Sequence, residues 1–389
     1  MKKFLKILFT VFLLSVINNN VYAKTELKIG AILPLSGENE IIGKNVYESI
    51  LLTVFELENL NIKIIPLDTK SSKAGAIEAF KKGINSGVDI FVGPIFYNTI
   101  NEIKDIEGFK NKLFLSYSNQ ENNILPNVIN FGVNLSSQMN ALQTIFNKKD
   151  QFVFFGDNSE FTKKVHEKTK KFKSKNSRSI FYKNFEDINI KTKILTNFNS
   201  RNKRHLQRIE KLEKIQETKK EEQSNDDGEE KIIESLKKHD TSEKVNFKKA
   251  FISSYDEELI ASISYFDFYD ANYKDVQFVT LNLWFDKKYL LEPSFENLIF
   301  PSIDLAGYQE LNKKYKKNFG REIYHLESLS FDMIPLIASV WFSTKDDKLK
   351  ASMFNGSYKG KTGDFVIKEN KTNRKLLLYR IKDKKFKKI

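Results

Sequence analysis

From Thr25 onward the chain alternates short runs rich in β-branched and aromatic residues with longer segments of helical apolar spacing. No other feature limits the fold as much. Strands are read at 27–33, 62–67, 88–92 and 112–115, with helices at 43–60, 74–84 and 99–106 between them. The 43–60 helix rests on apolar residues at 46, 50, 51, 54, 55 and 57. The pattern then repeats, with strands at 128–131, 151–155, 179–182, 250–253 and 276–281 and helices at 136–146, 161–172 and 256–268. A helix between consecutive strands forces a parallel crossover, so each half should be a parallel sheet covered by helices. The expected class is α/β in two lobes, which suits a chain of 389 residues, longer than one core usually serves. The carboxyl ends of the strands, where the two sheets face each other, are the expected ligand position.

The second series is interrupted at 201–244, where 12 Lys/Arg and 12 Asp/Glu fall within 44 residues. Leu206, Ile209, Leu212 and Ile215 give a narrow stripe at i+3 spacing, and Glu210 and Lys214 form an i,i+4 pair. Residues 224–230 hold no apolar side chain and read as a turn before Ile232, Ile233 and Leu236 resume a helix. The expectation is a charged helical insertion whose stripe, Leu206 to Ile215, is the candidate surface for a protein partner.

The first 23 residues have the layout of an export signal. Lys2, Lys3 and Lys6 precede an apolar stretch at 7–17 broken only by Thr10 and Ser15, and Val21-Tyr22-Ala23 offers a cleavage site. Eleven residues are short of the ~20 needed to span a bilayer. There is no cysteine, which excludes disulfides, thiolate metal sites, a cysteine nucleophile and a lipidated N-terminal cysteine. The expected location is therefore periplasmic, soluble after cleavage, and not a lipoprotein. The net charge of +14 would become +11 without Lys2, Lys3 and Lys6, and the balanced insertion contributes none of it. The excess is lysine, at 163–175, at 313–317 and in a tail at 382–388. Such faces suit contact with an anionic envelope surface, whereas a nucleic-acid reader would present arginine and stacking aromatics, so nucleic acid is not expected as a partner.

Catalytic motifs are missing. GxSxG, HExxH and P-loop patterns do not occur. His166, His205, His239 and His325 have no second ligand at metal-binding spacing and read as solvated side chains. Ser36, Ser71 and Ser72 read as turn and cap residues. No enzyme activity, catalytic residue, metal or cofactor is expected.

One motif is informative: Ile29-Gly30-Ala31-Ile32-Leu33-Pro34-Leu35-Ser36-Gly37, followed by Gly43 and a long helix. With Asp68 ending the second strand and Val92-Gly93-Pro94 ending the third, it resembles the leucine/isoleucine/valine-binding branch of the type 1 periplasmic binding proteins. The resemblance implies the two-lobed type 1 periplasmic binding protein fold, each lobe a mostly parallel sheet flanked by helices, with ligand clamped by hinge closure. It places the first lobe at 24–133 and 303–345. The second would take 134–302, with the insertion at 201–244, and the C-terminal strands and basic tail at 346–389. Ligand-contact candidates are Ser36, Asp68, Tyr97, Thr99, Ser116, Ser118, Tyr255, Asp256 and Trp284. Amino-acid binders place small hydroxyl residues after the third strand. This chain has Ile95-Phe96-Tyr97-Asn98-Thr99, whose large rings should obstruct such a site.

A second set of segments is similar to the penicillin-binding-protein activator branch of the same fold. It comprises Phe268-Tyr269-Asp270, Leu283-Trp284-Phe285-Asp286, Phe319-Gly320-Arg321, Ser328-Leu329-Ser330-Phe331-Asp332, Gly356-Ser357-Tyr358-Lys359-Gly360 and Gly363-Asp364-Phe365. That likeness implies a non-catalytic regulator of peptidoglycan synthesis whose partner is a peptidoglycan synthase. The other reading is the substrate-binding protein of an ABC importer, carrying a branched-chain amino acid or related small ligand to a permease.

Overall fold

The computed structural model describes residues 26–58, 60–121, 125–221, 227–346 and 348–389. The expected export signal lies outside them. In chain order the elements are β1 (Leu27–Leu33), α1 (Glu40–Phe55), β2 (Ile62–Asp68), α2 (Lys73–Asn85), β3 (Ile90–Val92), α3 (Tyr97–Ile103), β4 (Leu113–Ser116) and β5 (Val128–Asn130). There follow α4 (Leu135–Leu142), β6 (Gln151–Asp157), α5 (Glu160–Thr169), β7 (Lys175–Tyr182), α6 (Asp187–Leu195), α7 (Phe198–Glu221), α8 (Asp227–Lys237), β8 (Lys249–Ser253), α9 (Asp256–Phe268), β9 (Gln277–Thr280) and β10 (Ile299–Ser302). The chain ends with α10 (Leu305–Phe319), α11 (His325–Ser328), α12 (Ser330–Ser343), β11 (Gly356–Gly360), β12 (Gly363–Lys368), β13 (Lys371–Arg374), β14 (Leu377–Lys382) and β15 (Lys385–Lys388).

Two sheets result. The first has the order β11-β12-β13-β5-β4-β3-β1-β2 and the second β15-β14-β10-β9-β8-β6-β7. In the first, β1 runs parallel to β2 and β3, and β3 to β4. In the second, β6 runs parallel to β7 and β8, β8 to β9, and β9 to β10. Each sheet changes direction of growth once, between β1 and β3 and between β6 and β8. Loops diverge at such a switch point and leave the strand ends accessible, which is where this architecture places ligands.

The chain divides into two compact units. One holds residues to Ser116, Pro126–Val128 and Met333–Phe354; the other holds Tyr117–Leu125, Ile129–Asp332 and Asn355–Ile389. Residues 303–332 fall in the second unit, and the first resumes at Met333. Leu305 and Tyr308 of α10 pack on the core of the second unit, which keeps α10 and α11 there.

Aromatic residues build the first core. Phe91 stacks on Phe114 at 4.8 Å, Phe109 on Phe114 at 4.9 Å, and Phe80 tilts against Phe91 at 5.3 Å. The second sheet is buried on both faces. Val153 and Phe155 of β6 enter one cluster with Ile252, Phe278 and Phe300, while Phe152 and Phe154 enter the other with Phe251 and Val279. Both pleats of β6 are therefore apolar, which is why 152–155 is one uninterrupted apolar run in the sequence.

Two expectations need correction. Residues 382–388 are not a tail: they lie on β14 and β15 and in the turn between them, where Asp383 and Lys384 both have φ of 53°. Ile381 pairs with Phe386, which packs on the core and holds the lysine-rich strand in place. Of the expected turn at 224–230, residues 224–226 lie outside those described, and from Asp227 the chain is already helical. Acidic residues in a first helical turn oppose the positive end of the helix dipole, so a run without apolar side chains can still begin a helix.

Candidate functional site

The strand ends of the first unit are ordered by one carboxylate. Asp68 accepts hydrogen bonds from the Leu35 amide at 2.9 Å, the Ser36 amide at 3.1 Å, the Ser36 hydroxyl at 2.6 Å and the Lys70 amide at 2.8 Å. Burial alone would raise its pKa, but these four donors outweigh it and hold the carboxyl below the usual range. Ser71 reinforces the same turn, donating to the Ser36 carbonyl at 2.9 Å and accepting from the Asn39 amide at 3.0 Å. Two glycines permit the close approach. A Cβ on Gly43 would lie 1.9 Å from the Pro34 carbonyl oxygen, and one on Gly93, at φ +103°, would lie 2.3 Å from the Ile32 oxygen.

The other candidates of this unit follow β3 and β4. Ser116, fully buried, donates to the Pro94 carbonyl at 2.8 Å. Tyr97 and Thr99 are half-buried on α3, and Phe96 stands exposed at its N-terminus. The Ser72 hydroxyl caps α2 by accepting from Gly75 at 3.1 Å, the role expected from its position.

In the second unit, acids gather at the switch point between β6 and β8. Asp157 ends β6 opposite Tyr182 of β7 and accepts from the Ser159 amide at 3.1 Å and hydroxyl at 2.7 Å. The buried Tyr182 hydroxyl donates to the Glu258 carboxylate and shares a second hydrogen bond with the Ser254 hydroxyl, each at 2.9 Å. Burial, then the neighbouring Glu258 and Asp157 charges, push this phenol well above its ordinary value. Sequence reasoning missed Asp157, Tyr182 and Glu258. The available signal was that Asp157 and Tyr182 close two adjacent parallel strands and Glu258 opens the next helix.

The candidates Tyr255 and Asp256 lie at this same β8–α9 turn. Asp256, at φ 46°, faces Lys288 at 2.5 Å and receives the Tyr289 hydroxyl at 3.3 Å, so its charge is already paired. Tyr255 is exposed and packs beside Phe161, with ring centroids 6.1 Å apart. Ser118 is buried and accepts from the Gln120 amide at 3.2 Å.

Trp284 follows β9 in a strained turn, its φ of 53° followed by 58° at Phe285. Its ring stacks on His325 at 4.7 Å, and Tyr308 stacks on the same imidazole at 5.4 Å. Nδ1 of His325 is buried without a hydrogen-bond partner, and burial lowers the pKa to about 3. The reading of four solvated histidines is thus corrected. His205 is buried and bonded through Nδ1 to Ser242, and His166 is half-buried with Nε2 2.8 Å from the Ser179 hydroxyl. Only His239 is exposed. The sequence placed His205 in a charged run but could not show that its face of α7 turns inward.

The insertion forms two packed helices, α7 and α8, with Lys237 and Glu213 paired across them at 2.5 Å. Of the stripe proposed as a partner surface, Ile209 is buried and Leu212 half-buried, while Leu206 and Ile215 are exposed. The middle of the stripe therefore serves the insertion itself. Its root is fixed by buried Arg201, which donates to the Tyr269 carbonyl at 3.0 Å, the Asp270 carbonyl at 2.9 Å, the Thr241 hydroxyl at 2.8 Å and the Glu243 carbonyl at 2.8 Å.

Among the described residues no cluster of His, Asp and Glu could hold a metal ion, and no helix is long and apolar enough to cross a membrane. Residues 26–178 match the sequence profile of the family described as periplasmic binding protein. No curated protein matches the sequence. Many solved structures have similar folds, among them the three that follow. A Rhodospirillum rubrum protein assigned to branched-chain amino acid ABC transport is 12% identical, with 94% of this chain and 100% of that one covered and a TM-score of 0.70. The Brucella ovis leucine-, isoleucine-, valine-, threonine- and alanine-binding protein is 12% identical, with 94% of each chain covered and a TM-score of 0.64. The C-domain of LpoA from Haemophilus influenzae, a regulator of PBP1A, is 12% identical, with 93% and 99% covered and a TM-score of 0.59. With two mostly parallel sheets flanked by helices and this set of matches, the chain has the two-lobed type 1 periplasmic binding protein fold.

Proposed function

We propose that this chain is a non-catalytic periplasmic protein that regulates peptidoglycan synthesis by binding a peptidoglycan synthase. The observation that carries this reading is the self-saturation of the first unit's strand ends. Asp68 accepts four hydrogen bonds from its own loops, and the Ser116 hydroxyl is directed to the Pro94 carbonyl. Groups already partnered in this way offer little to a free amino acid, whose buried charges would go uncompensated. LpoA, with the same fold, is described as a regulator of PBP1A, which agrees with this direction. The insertion, held rigidly at Arg201 and presenting Leu206 and Ile215, is the proposed contact surface.

The test is capture of a purified synthase by the full chain and by a variant lacking residues 207–235, which retains Arg201, His205 and Thr241. The expected result is capture by the first and loss in the second. Undiminished capture by the deletion variant would remove the proposed role of the insertion, and no capture by either would overturn the regulator reading.

One observation favours the second reading, an importer's substrate-binding protein. Asp157 and Glu258 flank Tyr182 at the second unit's switch point and could receive a ligand ammonium. Thermal-shift measurements with branched-chain amino acids separate the two. A ligand present at 100 times its dissociation constant adds about 2.7 kcal/mol, which would raise the melting temperature by several degrees.

A further inference from the structure

A pocket of about 580 Å³ lies away from both sets of strand ends, on the second unit, where α6 ends and α7 begins. Its size is in the range of small-molecule sites, about 300–1,000 Å³. The lining is basic and amide-rich. Arg178 projects from β7 and Lys193 from the last turn of α6, and no acidic side chain lines the space. Arg178 uses Nη1 on the Ile194 carbonyl at 3.0 Å, which fixes the guanidinium in place, and Lys193 lies 5.8 Å from the centre of the Phe198 ring. Asn189, Asn197 and Asn199 add three carboxamides. Asn189 accepts the hydroxyl of buried Tyr269, which orients its side chain and leaves its amide hydrogens directed elsewhere. Ile190 and Ile194, 60% and 44% exposed, supply apolar surface at the rim.

We infer that this pocket binds a short peptide through its free C-terminal carboxylate. A guanidinium held in place and a neighbouring ammonium, with no acid lining the pocket, select an anion, and arginine favours the planar, two-oxygen geometry of a carboxylate. Carboxamides both donate and accept, which is what a peptide bond requires and a bare anion does not. The exposed isoleucines then take an apolar side chain of the ligand. This site is independent of the strand-end residues on which the proposed function rests.

The experiment is calorimetric titration of the full chain with N-acetyl-alanyl-alanine, with the same peptide amidated at its C-terminus, and with inorganic phosphate. The acid should bind saturably, while the amide and phosphate bind at least about tenfold more weakly. The double variant Arg178→Gln/Lys193→Gln should lose binding of the acid while keeping its melting temperature. Asn199→Asp, which introduces a like charge, should weaken it as well. Equal binding of acid and amide, equal binding of phosphate, or full binding by the double variant would each overturn the inference. Binding abolished by Tyr182→Phe but kept in the double variant would reassign the peptide to the strand ends, with the same consequence.

Discussion

The Ser36 hydroxyl donates to the Asp68 carboxylate across 2.6 Å, joining the loop after the first strand to the end of the second. Asp68 also accepts three backbone amides, so one side chain sets the shape of the strand-end loops. Asp68→Ala should cost about 2 kcal/mol, the scale of charge-assisted hydrogen bonds at a partly exposed site. Because the folded-state pKa is depressed, this contribution is complete above the ordinary carboxyl range and is lost as pH falls through it and below. Melting curves of the wild type and variant should differ fully at pH 7 and converge only as pH falls below the ordinary carboxyl range. A gap that stays constant with pH would show that Asp68 acts by shape alone.

Arg374 and Asp332 form a buried ion pair, Nη1 to Oδ2, at 3.3 Å. The guanidinium also donates to Thr362 at 2.9 Å and the Phe131 carbonyl at 3.2 Å, and it lies 4.6 Å from the Phe131 ring. Asp332 in turn accepts the Lys361 amide at 2.5 Å and the Thr362 amide at 3.3 Å. Removing one partner strands a buried charge, so Arg374→Met should cost about 3–5 kcal/mol. Arg374→Met with Asp332→Leu should cost much less than the sum of the single changes. Chemical denaturation of the four proteins in this cycle measures the coupling, and strict additivity would contradict it.

Of this pair the sequence marked only Asp332, as the end of the segment Ser328–Asp332 that is similar to the activator branch. Nothing local says that Asp332 and Arg374, 42 positions apart, form one buried ion pair. The parallel strands were legible because apolar runs such as Phe152–Phe155 fill both faces of a sheet and leave a clear mark. The Pro34–Gly37 turn was legible because its chemistry is local. Asp157, Tyr182 and Glu258 were not, since they converge only when β6, β7 and β8 align in register. Asp256 could be located in the sequence, but its neutralisation by Lys288 depends on a turn 32 residues away. His205 was misread because charge density on one face of α7 hides the inward orientation of the other.

His325 should make the protein acid-sensitive. Its folded-state pKa of about 3 lies below the ordinary imidazole value, so the unfolded chain binds the extra proton between those limits. Stability is therefore full above about pH 6.5 and declines as pH falls, by at most about 1.4 kcal/mol per unit. His325→Phe should flatten this dependence between about pH 6 and 4. Trp284 reports the event directly, because its ring stacks on the imidazole. With Trp341→Phe as background, Trp284 emission should change as pH falls in the wild-type site and not in His325→Phe. The same emission profile in both would dismiss the histidine as the cause.

Arg201 decides whether the insertion is a rigid arm. Its guanidinium ties α7 to the α9 end and to Thr241 and Glu243 after α8, so both feet of the insertion are held by one side chain. Arg201→Ala leaves the Tyr269 and Asp270 carbonyls without these donors and opens a buried volume, a loss of about 3 kcal/mol. Leu206→Ser, on an exposed site, should stay within about 0.5 kcal/mol. Amide hydrogen exchange distinguishes local from global effects. In Arg201→Ala, protection should fall first in 198–212 and 231–245, while β6 and β8 remain protected. Uniform loss across the second unit would show that the insertion and its supporting sheet open as a single cooperative body.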